Sequence, residues 1–355
     1  MTAPIDRDLS EFFKPPSWTS GHISLEDAGL LADLVGAGLA TPMIEVGVAS
    51  GWSSAVLLHL LERRPPAVSD GIWLHSYDVG EWCYFDSSRR VGAAVGEVVP
   101  ALACHWRLHV GNAVDAGLQL RGAGIELAFI DADHRHPWAT LDLLALLPAL
   151  APGAWVALHD INLPAIATRE DWKVYGPMHL FEGWPWEKRV AAGTQRNIGA
   201  VRVPGDHREV RAFCETVLAR PWETSVPATI PAALGLAMRD GYRTESAADR
   251  ELFAARIRAK VGLGRPLVLW GAGSAGRMCL QSSADLRALS TAFVDSSPQK
   301  QGGMFEGLPV ISPTTMAARQ PRPFVVITSQ FAPAIGANLE ALGFVHDDDF
   351  IAMEF

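Results

Sequence analysis

One pattern occurs twice in this chain of 355 residues and constrains its fold more than any other feature. An apolar run ends in a glycine-rich turn, and a helical stretch follows. The first copy is P-M-I-E-V-G-V-A-S-G-W-S-S-A-V-L-L-H-L-L-E-R-R, residues 42–64. The second is R-P-L-V-L-W-G-A-G-S-A-G-R-M-C-L-Q-S-S, residues 265–283. A glycine turn between a buried strand and a helix opens a βα unit, so each copy is expected to start its own parallel sheet.

The spacing of apolar runs extends both units. Further strands are expected at 72–79, 105–113, 126–133, 154–161 and 196–203, with helical patterns at 87–99, 136–150 and 207–222. Short apolar strands alternating with helices imply a sheet covered on both faces. After the second glycine turn, T-A-F-V-D-S, F-V-V-I-T-S and D-D-F-I-A-M continue the same alternation. The fold class is therefore α/β. A doubly wound, mostly parallel sheet is expected over 1–225, a helical connector over 226–263, and a second, smaller Rossmann-like α/β domain over 264–355.

Composition narrows the function classes. Hydrophobic residues make up 49% and charged residues 19%, a globular balance. The formal net charge is −9 and no Lys/Arg run occurs, so neither nucleic acid nor an anionic membrane is an expected partner. The longest apolar stretch, Leu141 to Leu158, is broken by Asp142, Pro148 and Pro152. The opening M-T-A-P-I-D-R-D-L-S-E-F-F-K has no hydrophobic signal core. Cys83, Cys104, Cys214 and Cys279 form no CxxC pair, which fits free thiols in a reducing, cytoplasmic setting.

The first glycine turn carries Glu45, Gly47, Ala49, Ser50, Gly51, Trp52 and Ser53. Glycine there permits a sharp turn and close approach of a ligand to the backbone. The next strand ends in Asp78, an acceptor suited to a ribose diol. Gly111, Asn112 and Ala113 follow the third strand, where an adenine edge could be read. On spacing alone the sheet binds this nucleotide, another one, or none.

The ordered set E-V-G-V-A-S-G-W-S, Asp78, G-N-A and F-I-D-A-D-H resembles the class I S-adenosylmethionine (SAM)-dependent methyltransferases. The resemblance implies the class I methyltransferase fold over residues ~40–203. It also implies SAM bound by Glu45, Gly47, Ala49, Ser50, Gly51, Trp52, Ser53, Asp78, Asn112, Ala113 and Asp131. One departure is Ala49, which stands where many members have a glycine.

A second group lies at the ends of the fourth and fifth strands. Asp131, Asp133, His134 and His136 close the one; His159, Asp160 and Asn162 close the other. Clustered carboxylates repel, and a divalent cation relieves the repulsion. Oxygen ligands suit Mg²⁺, Mn²⁺ or Ca²⁺. The pairing of I-D-A-D-H with P-G-A-W-V-A-L-H-D-I looks like the O-methyltransferase branch that includes macrolide-sugar and related natural-product enzymes. That resemblance implies metal ligands at Asp131 and Asp160, with Asn162 or Asp133 as a third. It also implies a proton acceptor at His134 or His159 beside Asp131. The second motif reads His-Asp where some metal enzymes carry Asp-Asp or Asp-Asn.

Between the fifth and sixth strands an insertion carries Trp172, Tyr175, His179, Trp184 and Trp186. These aromatic faces suit a sugar or planar acceptor, a hydrophobic lid, or a contact in a homo-oligomer. Gln195, Arg196 and Asn197 follow at the substrate side.

The second glycine turn places Gly271, Gly273 and Gly276 in G-x-G-x-x-G, with Asp295 ending the next strand. That is a dinucleotide fingerprint, for NAD or another nucleotide. The stretch V-D-S-S-P-Q-K-Q-G-G-M-F-E-G-L-P-V-I-S-P resembles small Rossmann-like domains attached to sugar-modifying enzymes. Their glycines serve either a nucleotide part of a substrate or helix packing.

The whole reads as a SAM-dependent methyltransferase acting on a hydroxyl of a sugar or hydroxylated natural product. The acceptor is a small molecule, nucleotide-linked in one version of the reading. Three alternatives stand beside it: an NAD-dependent oxidoreductase, which lacks a Tyr-Lys or Cys pair after Gly276; a non-catalytic scaffold; and a hydroxylase built on the same sheet and acids.

Overall fold

The computed structural model describes residues 7–353 except 21, 87, 238, 240–243, 246, 263 and 330–331. The first residues of the chain, Ser87 of the expected helix 87–99, and parts of the expected connector therefore lie outside the described residues. Two compact units result. Described residues up to Cys83, from Arg89 to Thr224 and from Thr229 to the following gap fall in the first. Tyr84–Ser88, Ser225–Ala228 and the residues from Thr244 onward fall in the second.

The first unit is built on seven strands: β1 (Met43–Val46), β2 (Leu74–Asp78), β3 (Trp106–Val110), β4 (Ile125–Ile130), β5 (Leu150–Leu158), β6 (Lys188–Val190) and β7 (Gly199–Arg202). Their order in the sheet is β3-β2-β1-β4-β5-β7-β6. β1 pairs in parallel with β2 and β4, while β7 runs antiparallel to both β5 and β6. Strand order reverses between β1 and β4, and the crevice beyond their carboxyl ends is where such sheets bind ligands.

All four residues of β1 are buried, including Glu45. Helices cover it, chiefly Trp52–Glu62, whose Val56, Leu57 and Leu61 join Leu31, Met43 and Phe129 in one core. The helix Leu25–Gly36 begins with a capping box: Ser24 Oγ accepts from Asp27 N–H, and Asp27 Oδ2 accepts from Ser24 N–H. The other oxygen of Asp27 accepts from Ile198 N–H at 2.9 Å, which ties this helix to the entry of β7.

Several elements differ from their sequence reading. The helix expected at 87–99 runs only from Ala93 to Val98, because Trp82 and Arg90 first pair as a β-bridge. β5 starts at Leu150, ahead of Pro152, rather than at 154. β6 lies inside the aromatic insertion; its three residues are too few for an alternation to be visible.

The second unit holds a two-residue parallel pair, β8 (Val226–Pro227) with β9 (Thr244–Glu245), and a six-stranded sheet. That sheet is made of β10 (Leu267–Trp270), β11 (Ser290–Val294), β12 (Met304–Phe305), β13 (Leu308–Ile311), β14 (Phe324–Ile327) and β15 (Phe350–Ala352). The order is β12-β13-β11-β10-β14-β15, parallel except for the β12–β13 hairpin. The hairpin falls in the stretch from Met304 to Ile311, where no strand is expected from the sequence. The helix Ala247–Val261, read from the sequence as connector, places Ala254, Ile257 and Val261 in this unit's core.

Candidate active site

The glycine loop after β1 is fixed by contacts that leave no room for side chains. Gly47 has φ +86°, and a Cβ there would lie 2.0 Å from the Asp131 carbonyl oxygen at the end of β4. Gly51 has φ +80°, and its Cβ would lie 2.6 Å from Gly92 Cα. Ala49 occupies the left-handed region at φ +46°, the conformation for which the related pattern uses glycine.

Asp78 closes the loop from the neighbouring strand. Its Oδ2 accepts from the N–H groups of Val48 and Ala49, each at 3.0 Å, and its Oδ1 from Gly80 N–H at 2.8 Å. Three backbone donors thus hold the carboxylate at the crevice. Asn112 caps the helix Ala113–Gln119: its Oδ1 accepts from Val114 N–H at 2.8 Å, and Ala113 is buried behind it. Exposed apolar side chains stand at the tips of β2 and β3, Val79 at 67% and Val110 at 68%.

Three residues of the expected cofactor set lie beneath the loop. Trp52 is buried, stacked with Phe12 at 5.9 Å and edge-on to Phe13 at 5.2 Å. Ser50 Oγ accepts from Trp52 N–H. Glu45 is fully buried and accepts hydroxyl hydrogen bonds from Ser53 (2.6 Å), Ser54 (2.5 Å) and Ser76 (2.6 Å).

Burial pushes the Glu45 carboxyl up to about 7, against the three hydroxyls, which lower it. The folded state therefore holds this proton more tightly than the unfolded chain does. The associated stability is present below the ordinary value of 4.5 and is lost as pH rises through about 7. Glu45→Gln should remove this dependence. Between acidic pH and pH above 7, denaturant melts should show the variant gaining about 3 kcal/mol relative to the parent. A constant difference across that range would contradict it.

At the ends of β4 and β5, four side chains close into a ring. His134 Nε2 lies 3.2 Å from Asp131 Oδ1, and its Nδ1 lies 2.9 Å from Asp160 Oδ2. His159 Nδ1 lies 2.9 Å from Asp131 Oδ1 and 3.6 Å from Asp160 Oδ1. Asn197 joins from β7's approach: its Nδ2 donates to Asp160 Oδ1 at 2.5 Å and sits 3.4 Å from His159 Nε2. Asp160 holds its position at φ +59°, a left-handed conformation that costs ~1–3 kcal/mol and recurs at functional sites.

Burial and charge oppose each other throughout the ring. Burial lowers the His159 imidazole, but Asp131 and Asp160 overcome this and raise it to about 9. His134 is raised well above its ordinary value, burial being outweighed by Asp160 and Asp131. Burial raises both carboxyls. The His159 charge and the bonds from the histidines more than reverse this, so Asp131 and Asp160 end below the carboxylate range.

The remaining expected residues lie apart from the ring's bonds. Asn162 Nδ2 donates to the Gln195 carbonyl at 2.6 Å. Asp133 pairs with Arg135 at 2.5 Å. His136 is buried with neither ring nitrogen hydrogen bonded, and burial pushes it down to about 4. The insertion is anchored beside the ring, because Gly176 N–H donates to the His134 carbonyl at 3.0 Å. It presents Trp172 at 50% exposure and Tyr175 at 37%, while Trp184 is buried against Trp186 and Phe213.

The ligand atoms of Asp131, His134 and His159 lie within 4.8 Å of one another, which suits a single cation. Two imidazoles in the set favour first-row transition ions over Mg²⁺ and Ca²⁺, which prefer oxygen. Of the ligands expected from sequence, Asp131 and Asp160 both stand in the ring with the two histidines, while Asn162 bonds to the Gln195 carbonyl.

Within the second unit, the loop of Gly271, Gly273 and Gly276 lies at the β10–β14 reversal. Asp295 Oδ2 accepts from Ala272 N–H at 3.1 Å and from Lys300 Nζ at 3.0 Å; Lys300 also donates to the Ala272 carbonyl at 2.6 Å. The acid of the fingerprint is thus paired with a lysine from the following turn.

Residues 44–161, from β1 to the end of the ring, match a family model described as a methyltransferase domain. Among solved structures, the O-methyltransferase TomG from Streptomyces achromogenes, involved in tomaymycin synthesis and in complex with SAM, is 23% identical. It covers 56% of this chain and 91% of its own, with a TM-score of 0.38. An O-methyltransferase from Bacillus cereus in complex with SAH is 19% identical over 56% of this chain and 92% of its own, at 0.39. A SAM-dependent O-methyltransferase from Thermotoga maritima is 13% identical over 53% and 68%, at 0.36. No curated protein matches. Residues 44–161 thus match a methyltransferase domain, and they lie in a sheet of the class I methyltransferase fold that is followed by a second α/β unit. No helix among the described residues is long and apolar enough to cross a membrane.

Proposed function

We propose that the protein methylates a hydroxyl oxygen of a small hydroxylated acceptor, a sugar or a related natural product, using SAM. The observation that carries this reading is the double use of Asp131. Its backbone carbonyl packs against Gly47 of the cofactor loop, and its carboxylate belongs to the His–Asp ring. A methyl donor on the loop and an acceptor oxygen at the ring would then be neighbours.

On this reading the loop N-terminal to Trp52–Glu62 receives the amino-acid end of SAM, Asp78 meets the ribose, and Val79 and Val110 seat the adenine. Trp172 and Tyr175 offer aromatic faces to the acceptor. The sulfonium loses its methyl and becomes a neutral thioether; the acceptor oxygen gains the methyl and loses its proton to the neutral form of the His159 imidazole, whose share grows as pH rises towards about 9. Positioning contributes most of the rate, because the sulfonium supplies the reactivity. When a divalent ion is held by Asp131, His134 and His159, it supplies Lewis-acid lowering of the hydroxyl's pKa.

Purified protein given methyl-labelled SAM and a panel of sugars and polyhydroxylated metabolites should release SAH and form a methyl ether. Asp78→Ala leaves three loop N–H groups without their acceptor, and SAH affinity should fall by about 10- to 100-fold with the fold retained. Unchanged affinity in that variant would remove Asp78 from the cofactor site. Methylation confined to nitrogen or carbon acceptors would overturn the oxygen assignment.

A further inference from the structure

After the helix His207–Leu218 the chain returns to the loop that follows β4. Trp222 and Thr224 are buried there, and Glu223 stands half-buried between them. Its backbone N–H donates to the His136 carbonyl at 2.8 Å. Its side chain accepts in return. Oε2 takes the His136 N–H at 2.5 Å and the Tyr175 N–H at 3.1 Å, while Oε1 lies 3.2 Å from the same Tyr175 nitrogen. One carboxylate oxygen thus joins the loop of His134 and His136 to the residue that opens the helix Gly176–Gly183 of the aromatic insertion.

The same two segments also meet directly. Gly176 N–H donates to the His134 carbonyl at 3.0 Å, and a Cβ on Gly176 would lie 2.6 Å from that oxygen. Side chains continue the contact. His136 packs edge-on to His179 at 5.3 Å, Tyr175 stacks on His179 at 5.6 Å, and His179 Nδ1 accepts from Arg220 at 2.7 Å. His134 is held in turn through its imidazole by Asp131 and Asp160. Tyr175, 37% exposed, is therefore tied to the ring through two consecutive backbone N–H groups, its own and that of Gly176.

We propose that Glu223 is a positioning residue for the acceptor: it sets the aromatic face of Tyr175 against the ring, so that the acceptor hydroxyl meets a preformed wall. It acts through His136 and Tyr175. The inference rests on the methyltransferase reading, since it says where the acceptor of that reaction lies. A backbone donor left without its acceptor is costly, so removal of the carboxylate drives the segment to a new position. A misplacement of about 1 Å near reacting groups costs ~100-fold. The geometry also says which atom matters. Both amides converge on Oε2, so a glutamine whose carbonyl oxygen takes that place keeps both bonds, and an alanine keeps neither.

The test compares the full chain with Glu223→Ala and Glu223→Gln. SAH affinity is read by calorimetry. Methyl transfer from labelled SAM is read against a panel of monosaccharides and polyols, taking the acceptor that the parent methylates. Glu223→Ala should raise the KM for that acceptor by about 10- to 100-fold, more than it lowers kcat, with SAH affinity changed by less than about threefold. Glu223→Gln should return KM to within about threefold of the parent. Tyr175→Ala should raise the same KM, and combining it with Glu223→Ala should add little, because both remove one wall. Should Glu223→Ala not fold, Glu223→Asp, too short to reach both amides, takes its place. An unchanged KM in the alanine variant would overturn the inference. So would a loss in the glutamine variant equal to that in alanine, or a fall in SAH affinity matching the rise in KM, which would make Glu223 a support of the fold alone. A parent that binds no SAH, or methylates no hydroxyl in the panel, defeats the proposed function and this inference with it. Normal turnover with a KM insensitive to Glu223 defeats this inference only.

Discussion

Gly47→Ala should abolish SAH binding and lower the melting temperature. The added Cβ would fall 2.0 Å from the Asp131 carbonyl oxygen and 2.4 Å from its carbon. Both are backbone atoms at the end of a central strand, so neither can yield as a flexible side chain would. The φ of +86° also penalises any L side chain, by about 1–2 kcal/mol. The loop must therefore lift away from β4, and the groups that it places at the crevice move with it. The expected loss in SAH affinity exceeds ~100-fold, about 2.7 kcal/mol. Calorimetry on the folded variant checks it. Affinity within a few-fold of the parent would show that the loop does not carry the cofactor.

Asp131→Asn should stop turnover while sparing cofactor binding. The substitution keeps the shape and the backbone contact with Gly47, but removes one of the two negative charges facing the buried His159 and the half-buried His134 imidazoles. Breaking a buried charged network by neutralising one member costs about 3–5 kcal/mol in stability. Removing the group that orients an acid–base centre typically costs ~10²–10⁴ in rate. Turnover should fall by that factor, with SAH affinity changed by less than about threefold. His159, now held up to about 9 chiefly by Asp131, should titrate closer to its ordinary value, which proton NMR can follow. Full activity in this variant would remove the ring from the reaction.

The sequence carried the elements whose signals are local. The strand–glycine–helix pattern located both sheets, since a buried parallel strand and the turn after it are contiguous in the chain. The residues of the ring were also visible one by one, as Asp131, His134, His159 and Asp160. Their pairing was not, because it depends on β4 and β5 lying side by side and on the left-handed turn at Asp160. Asn197 was legible only as a neighbour of the site; its bond to Asp160 spans two strands that meet antiparallel. Glu223 was missed entirely: it binds the N–H groups of His136 and Tyr175 from far along the chain. The support of Gly51 by Gly92, which in turn packs on the Trp106 ring, has no local sequence signal either. In the other direction, Glu45, Trp52 and Ser53 sit within the motif by sequence, yet their side chains face the interior.

The proposed chemistry stands or falls on SAM binding in the crevice between β1 and β4. Isothermal titration of the purified full chain with SAH, and separately with NAD, tests it most directly. Micromolar SAH binding at a single site per chain is expected, lost in Gly47→Ala, with no comparable heat from NAD. Absence of SAH binding together with binding of NAD would contradict it and move the chemistry to the second unit.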